Sequence, residues 1–341
     1  MQDKLNILRK EIPNKALFTT FSKIVETMIF MSGNKNMLNI SRWSELKYKK
    51  VERFFDKILC WMSINIGILS YFLIDRELIL ASDETISTKS GKKTHGIGLF
   101  WSSILKKSVK SISISSLSII DVLNNKSYQL YSKQLIFTKE EKLEIERKKE
   151  KIKKSKGKKV GRPTGAKNAK QEKKETGTFR LLREILELYV KKTKFKIKHF
   201  VGDGKYANNV CSNICNGLGI SLVSKLQHNS ALYYEFDKLE GKKRRGRPSK
   251  YGKKIEIDKL EDKYLKSIKE IDGEIEKIFQ IKCLNKSFDN PLNVIFILNT
   301  NIETKKTTYA ILFSTDLELS YQKIRTYYSS RFQIEFNFRD E

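Results

Sequence analysis

Apolar positions recur at helical spacing through the first 75 residues of the chain and then change period. "SRWSELKYKKVERFFDKI" predicts one helix, leading straight into "ILCWMSINIGILSYFLI", residues 58–74, a run of 17 residues without a charge. That run falls short of the roughly 20 residues a membrane span requires, and it carries Asn65 in its middle. It predicts a buried helix. Trp43, Phe54, Phe55 and Trp61 are the candidates to pack this region. A small basic helical unit ahead of a larger domain suits DNA binding, although nothing in it fixes a helix-turn-helix.

Period two takes over next. "ELILASDETI" (77–86), "GIGLFW" (96–101) and "SISISSLSIIDV" (111–122) are apolar or alternating, with β-branched residues and short turns, and predict a three-stranded antiparallel meander. Residues 138–176 then give a highly charged helix and a Gly- and Lys-rich linker. The pattern continues as helix 179–192, strand 196–203, a helix in "KYANNVCSNICNG" and the strand "ISLVSKL". From about 226 to 290 it is irregular and basic; "LNVIFILN" (292–299) and "TYAILFS" (308–314) predict a hairpin, and a last helix begins near Leu317. Strands first, then alternating helix and strand, indicate a mixed α/β domain with a large insertion.

Composition adds a partner class. Lys and Arg number 68 against 39 Asp and Glu, a net charge of +29. Such an excess favours a polyanion, most often nucleic acid, and part of it also fits the Lys-, Ile- and Asn-rich usage of an AT-rich genome. Cys211 and Cys215 lie one helical turn apart with no second pair at zinc spacing, so the four cysteines read as reduced core thiols of a cytosolic protein. The N-terminus has charges where a signal peptide needs an apolar run. His95, His199 and His228 are scattered and receive no ligand role.

Three carboxylates stand out. Asp83 lies inside the first strand, Asp203 ends a later strand before a Gly turn, and Glu335 lies in the closing stretch "YYSSRFQIEFNFRDE". Strand C-terminal ends collect ligands in open α/β sheets. Each residue also has an ordinary reading as a cap, a turn former or a solvated face. By alternation alone "RFQIEFNF" is a strand. In the helical reading, Tyr328, Arg331 and Glu335 share one face at i, i+3 and i+7.

Tyr328-x2-Arg331-x3-Glu335 resembles the Y-(2)-R-(3)-E-(6)-K signature of DDE transposases from bacterial insertion sequences, the IS-four group. "DETISTKSGKKTHGIGLFW" is similar to the segment around that family's first catalytic Asp, with Asp83-x-Thr85 fitting the pattern better than Glu84. "VGDGKYAN" resembles its second-Asp motif. The resemblance runs from about 77 to 341. It implies an RNase H-like mixed sheet with flanking helices, a helical N-terminal region (1–75) and a strand-containing insertion (225–315) that grips DNA. The catalytic domain is then 76–224 together with a helix at 316–341. The signature's Lys falls at 342, so the resemblance also implies a catalytic helix cut short.

By the same resemblance Asp83, Asp203 and Glu335 bind Mg²⁺, with Mn²⁺ able to substitute, and Tyr328 and Arg331 contact the element's end. The implied activity is nicking at the terminal inverted repeats and joining of the 3′-OH to target DNA. A homodimer on DNA, in a bacterial cytoplasm at the nucleoid, goes with it. Lys89, Lys92 and Lys93 are candidates for phosphate contact or simply a basic turn. Arg244, Arg245 and Arg247 lie in "RRGRP", similar to a minor-groove hook, with a solvated basic loop as the plainer reading. The rival functions are a stand-alone RNase H-like nuclease and a non-catalytic DNA-binding remnant.

Overall fold

The computed structural model describes residues 5–91, 93–102, 105–155, 175–236 and 250–340. The expected linker beyond residue 155, Lys92 and the arginines 244, 245 and 247 lie outside the described residues. The chain divides into two units, Met1–Arg76 with Leu188–Lys196, and Glu77–Glu187 with Ile197–Glu341.

In the first unit, helices α1 (Lys15–Phe30), α2 (Met37–Trp43), α3 (Tyr48–Phe55) and α4 (Trp61–Phe72) follow a 3-10 turn at Asn6–Lys10. Leu8, Ile12, Phe21, Ile24, Ile40, Val51, Phe54 and Ile64 form their core. The single helix expected ahead of residue 58 is broken after Trp43. There Ser44 Oγ donates to the Ile40 carbonyl at 2.6 Å and Ser41 Oγ to that of Leu46 at 2.9 Å, so serine hydroxyls satisfy the carbonyls at the break. α4 buries Met62, Ile64, Ile66 and Leu69 but exposes Tyr71 and Phe72, so it is half-buried rather than buried all round. Of the four aromatics expected to pack, Phe54 is in the core, Phe55 and Trp61 are partly exposed but lie against Phe54 and Phe21, and Trp43 is more than half exposed. No described helix is long and apolar enough to cross a membrane.

The second unit is built on one mixed sheet. Its strands are β1 (Leu78–Thr88), β2 (Gly98–Ser102), β3 (Lys107–Asp121), β4 (Lys126–Gln134), β5 (His199–Val201) and β6 (Ser221–Leu226), then β7 (Leu232–Glu235), β8 (Tyr251–Lys254), β9 (Leu265–Ile271), β10 (Glu274–Asn285), β11 (Leu292–Asn301) and β12 (Thr307–Ser314). They run in the order β2-β3-β1-β5-β6-β12-β11-β10-β7-β8, with β4 on β3 and β9 on β10. Helices α5 (Lys139–Ser155), α6 (Gly177–Lys192), α7 (Asn209–Gly217), α8 (Tyr321–Ser330) and α9 (Ile334–Asp340) complete the elements.

The meander differs from the one the sequence suggests. β1 pairs with β3, not β2, and β3 carries β4, a strand that the polar "KSYQLYSKQ" hides. β4-β3-β1 is antiparallel, and β5 and β6 then add in parallel. That arrangement, flanked by helices, is the RNase H-like sheet the resemblance implies. Residues 226–290, irregular by sequence, contain the long ladder of β9 and β10. Both strands mix Lys and Glu into a half-exposed face, which blurs the apolar period.

One face of the sheet presents Ile79, Ala81, Ile120, Val201 and Val223 to Ile324, Tyr327 and Ile334 of α8 and α9. On the opposite face Tyr206 is buried, edge-on against Phe179 and Phe200, with its hydroxyl donating to Ser82 Oγ at 3.5 Å. Cys211 and Cys215 are buried free thiols on α7, as expected of core cysteines, and burial pushes the Cys211 thiol well up.

Candidate active site

Strand register brings the two aspartates together. β1 and β5 pair in parallel as Leu80↔Phe200 and Ala81↔Val201, an offset of 120 residues that Asp83 and Asp203 also share. The paired stretch ends at Val201, so Asp203 follows two residues past the end of β5, beside the part of β1 that carries Asp83. Asp83 continues the stripe of Ile79 and Ala81, the face that α8 and α9 cover.

Asp203 stands where β5 turns into a 3-10 turn, Gly204–Tyr206. Its side chain accepts the Lys205 N–H at 3.0 Å and its carbonyl accepts Ser224 Oγ at 2.7 Å. Gly202 just before it has no room for a side chain, because a Cβ there would come within 2.7 Å of the Tyr206 ring.

The third element is helical. The alternation "RFQIEF" is not a strand: Phe332 and Phe336 are exposed while Ile334 between them is fully buried. α8, a 3-10 turn at Arg331–Gln333 and α9 run on in succession, so Tyr328, Arg331 and Glu335 do not share one unbroken α-helix. Asn337, two residues beyond Glu335, ties α9 to the sheet by donating to Ser118 Oγ at 3.0 Å and Ser127 Oγ at 2.9 Å. Ser118 lies opposite Ala81, so a small residue on the covered face gives the helix its anchor.

These groups share one electrostatic neighbourhood. Burial pushes the Asp83 carboxyl up, and the charges of Asp203 and Glu335 push the same way. The Glu84 N–H, 2.8 Å from Asp83 Oδ1, and the Arg331 guanidinium only partly offset this. Arg331 Nη1 lies 3.8 Å from Asp83 Oδ2, and its guanidinium sits 4.5 Å from the centre of the Phe332 ring. The Tyr328 phenol is raised by burial and by Asp203, against the opposing charge of Arg331.

A sequence model of a family described as DDE superfamily endonuclease matches residues 8–269. The chain belongs to that family. No curated protein matches it. In this DDE endonuclease family member, Asp83 and Asp203 fall inside the matched span, while Tyr328, Arg331 and Glu335 lie beyond it.

The donor set fits a hard divalent cation. Mg²⁺ takes one or two carboxylates and completes its shell with water and substrate phosphate. Asp83 and Asp203 are such a pair, and a carboxyl crowded by like charge gains from a cation. Among the described residues no three His, Cys, Asp or Glu side chains converge closely enough to hold one ion.

Two sequence-predicted lysines stand apart. Lys89 is exposed at the end of β1, six residues and about 20 Å along the strand from Asp83. Lys93 is also exposed.

Sequence reasoning missed a link between the two aspartates. Lys205 Nζ bonds Glu84 Oε2 at 2.7 Å, while its backbone N–H is held by Asp203. Glu84 Oε1 is buried with no hydrogen-bond partner among the described residues. The local signal was a Lys two residues after Asp203 and a second acid beside Asp83. Asn337 carried no local signal, because its serine partners lie more than 200 residues away.

Proposed function

We propose that this chain is a DDE transposase of the IS-four type. It nicks the ends of its element and joins the freed 3′-OH to target DNA. The observation that carries the reading is the parallel pairing of β1 with β5, which sets Asp203, just past β5, near Asp83, with Glu335 of α9 close enough to raise the same carboxyl. Asp83 and Asp203 would hold a metal through carboxylate oxygens, and Glu335, exposed on α9, would have to approach them to join. The chemistry supplied by a bound pair of Mg²⁺ ions, or Mn²⁺, is activation of the attacking oxygen and stabilisation of the departing one.

The chain's own residues orient and balance charge. Lys205 and Glu84 fix the turn that carries Asp203, and Asn337 fixes α9. Arg331 balances the charge of Asp83 and with Tyr328 would meet a phosphate of the element's end. In the first step water attacks phosphorus, the P–O3′ bond breaks and the 3′ oxygen takes a proton. In the second step the 3′-OH loses its proton, forms a bond to a target phosphorus and expels a target 3′-OH. One phosphodiester replaces another, so no nucleotide is hydrolysed. A homodimer synapsing two ends at a bacterial nucleoid belongs to this reading.

A plasmid carrying candidate element ends tests it. Nicking that requires Mg²⁺ and falls at least about a hundredfold in Asp203→Asn is the expected result. Unchanged nicking in that variant overturns the site. The family's description as an endonuclease favours one second reading, hydrolysis without joining. Capture of a labelled 3′ end by target DNA separates the two.

A further inference from the structure

His199 opens β5, ahead of Asp203, and by strand alternation shares the face of Val201, which α8 and α9 cover. Its Nε2 lies 3.0 Å from Asp316 Oδ2, and its ring centre 5.2 Å from that of Tyr327 on α8. An ionised carboxylate only accepts, so Nε2 carries the proton and donates it. The His199 side chain is 12% exposed. Asp316 stands in the connection between β12 and α8 and is bonded on all sides. Its N–H donates to Ser314 Oγ at 3.0 Å, its Oδ1 accepts the Glu318 N–H at 3.0 Å, and its carbonyl accepts Nδ2 of Asn293, a fully buried residue of β11, at 3.1 Å. Burial raises the Asp316 carboxyl, yet the His199 bond and the Glu318 N–H outweigh it and hold the group below its ordinary range.

Beyond His199, Tyr327 donates its hydroxyl to Glu77 Oε1 at 2.7 Å, and Glu77 stands just before β1. His199 is thus the β5 member of a chain of contacts. The chain joins the two strands that lead to Asp83 and Asp203 with the helix that leads to Arg331 and Glu335. Apolar packing of Ile324, Tyr327 and Ile334 against Val201 holds α8 and α9 on the sheet, but such packing is non-directional and leaves sliding and rotation open. Hydrogen bonds have preferred distances and angles and close that freedom. Arg331 follows Tyr327 by about one helical turn, so a rotation at Tyr327 carries the guanidinium away from Asp83.

We propose that His199 is a positioning residue for the reaction: through Asp316 and Tyr327 it sets α8, and with it Arg331 and Glu335, against the strand that leads to Asp203. The proposal rests on the transposase reading above and deepens it, by giving a part in the reaction to a side chain outside the reacting groups.

The test is the single-turnover nicking rate of the full chain on a plasmid with candidate element ends, at saturating protein and Mg²⁺, measured beside its DNA affinity. His199→Phe keeps a ring against Tyr327 and loses the bond; its rate is expected to fall about tenfold or more, with affinity unchanged. His199→Gln keeps an N–H donor and is expected to recover most of the rate. Asp316→Ala breaks the same bond from the loop side and is expected to show the same loss, even where His199→Phe fails to fold. Combined with His199→Phe it adds nothing further. A wild-type rate in either bond-breaking variant overturns the proposal, as do additive losses in the pair or a Gln variant no faster than the Phe one. Wild-type chain that never nicks sinks the catalytic reading, and amide exchange then decides the positioning of α8. Faster exchange over residues 321–330 in both bond-breaking variants, with β12 unchanged, supports it; exchange equal to wild type overturns it.

Discussion

The guanidinium of Arg331 lies 3.8 Å from the Asp83 carboxylate, and its side chain is only 8% exposed. Arg331 Nε has no hydrogen-bond partner among the described residues. A cation is thus held inside the fold, beside a carboxylate that Asp203 and Glu335 also repel. In the proposed reading, a divalent ion at Asp83 would compete with Arg331 for the same negative charge. Arg331→Ala is expected to lower stability in chelator by about 1–3 kcal/mol, less than a fully buried pair because Asp83 keeps some solvent. The same variant gains more thermal stability from added Mg²⁺ than wild type does. Equal Mg²⁺ shifts in the two proteins rule out the competition.

Glu77, just before β1, anchors α8. It accepts the Tyr327 hydroxyl at 2.7 Å and pairs with Lys323 at 2.8 Å. Those bonds, Lys323 first, hold its carboxyl below the usual range. A depressed carboxyl stabilises the fold above its unfolded pKa of about 4.3 and loses that contribution as pH falls through the folded value. Glu77→Gln is therefore expected to cost about 1 kcal/mol near neutrality, since the site is a third exposed, and nothing in strong acid. Urea titrations of both proteins across that range check it; parallel curves in acid contradict it.

Asn337 donates to two serines of the sheet. Asn337→Ala removes both bonds and is expected to cost about 1–2 kcal/mol. Nicking is expected to fall with DNA affinity unchanged, because the variant releases α9 and Glu335 without touching the basic surfaces. Anisotropy and nicking on one preparation separate these effects, and equal loss in both contradicts a positioning role.

Gly202→Ala forces a methyl group into contact with Tyr206, a fully buried ring. Overpacking of this kind costs about 1–3 kcal/mol. A chemical melt measures it, and a shift below 0.5 kcal/mol, about the noise of a neutral surface change, shows that the turn relaxes freely.

Several elements were legible because their pattern is local. β1, β11 and β12 are strongly apolar, and α5 begins with a capping box in which Thr138 and Glu141 exchange bonds at 2.8 and 3.2 Å. β4 was not legible, since its partly exposed face is polar and only pairing with β3 makes it a strand. The closing stretch misleads by periodicity: its phenylalanines alternate yet stay exposed, and burial of Ile334 against the sheet decides for helix.

By itself the sequence determined the strongly periodic elements, the positive charge and, through short motifs, which acidic residues to watch. It could not determine that β1 takes β3 rather than β2, that β1 pairs with β5 so that Asp203 comes near Asp83, or that Arg331 turns inward to Asp83. Helix and strand preferences depend on residues a few positions apart. Register depends on burying one continuous apolar face across strands separated by more than a hundred residues, and only the folded sheet supplies that condition.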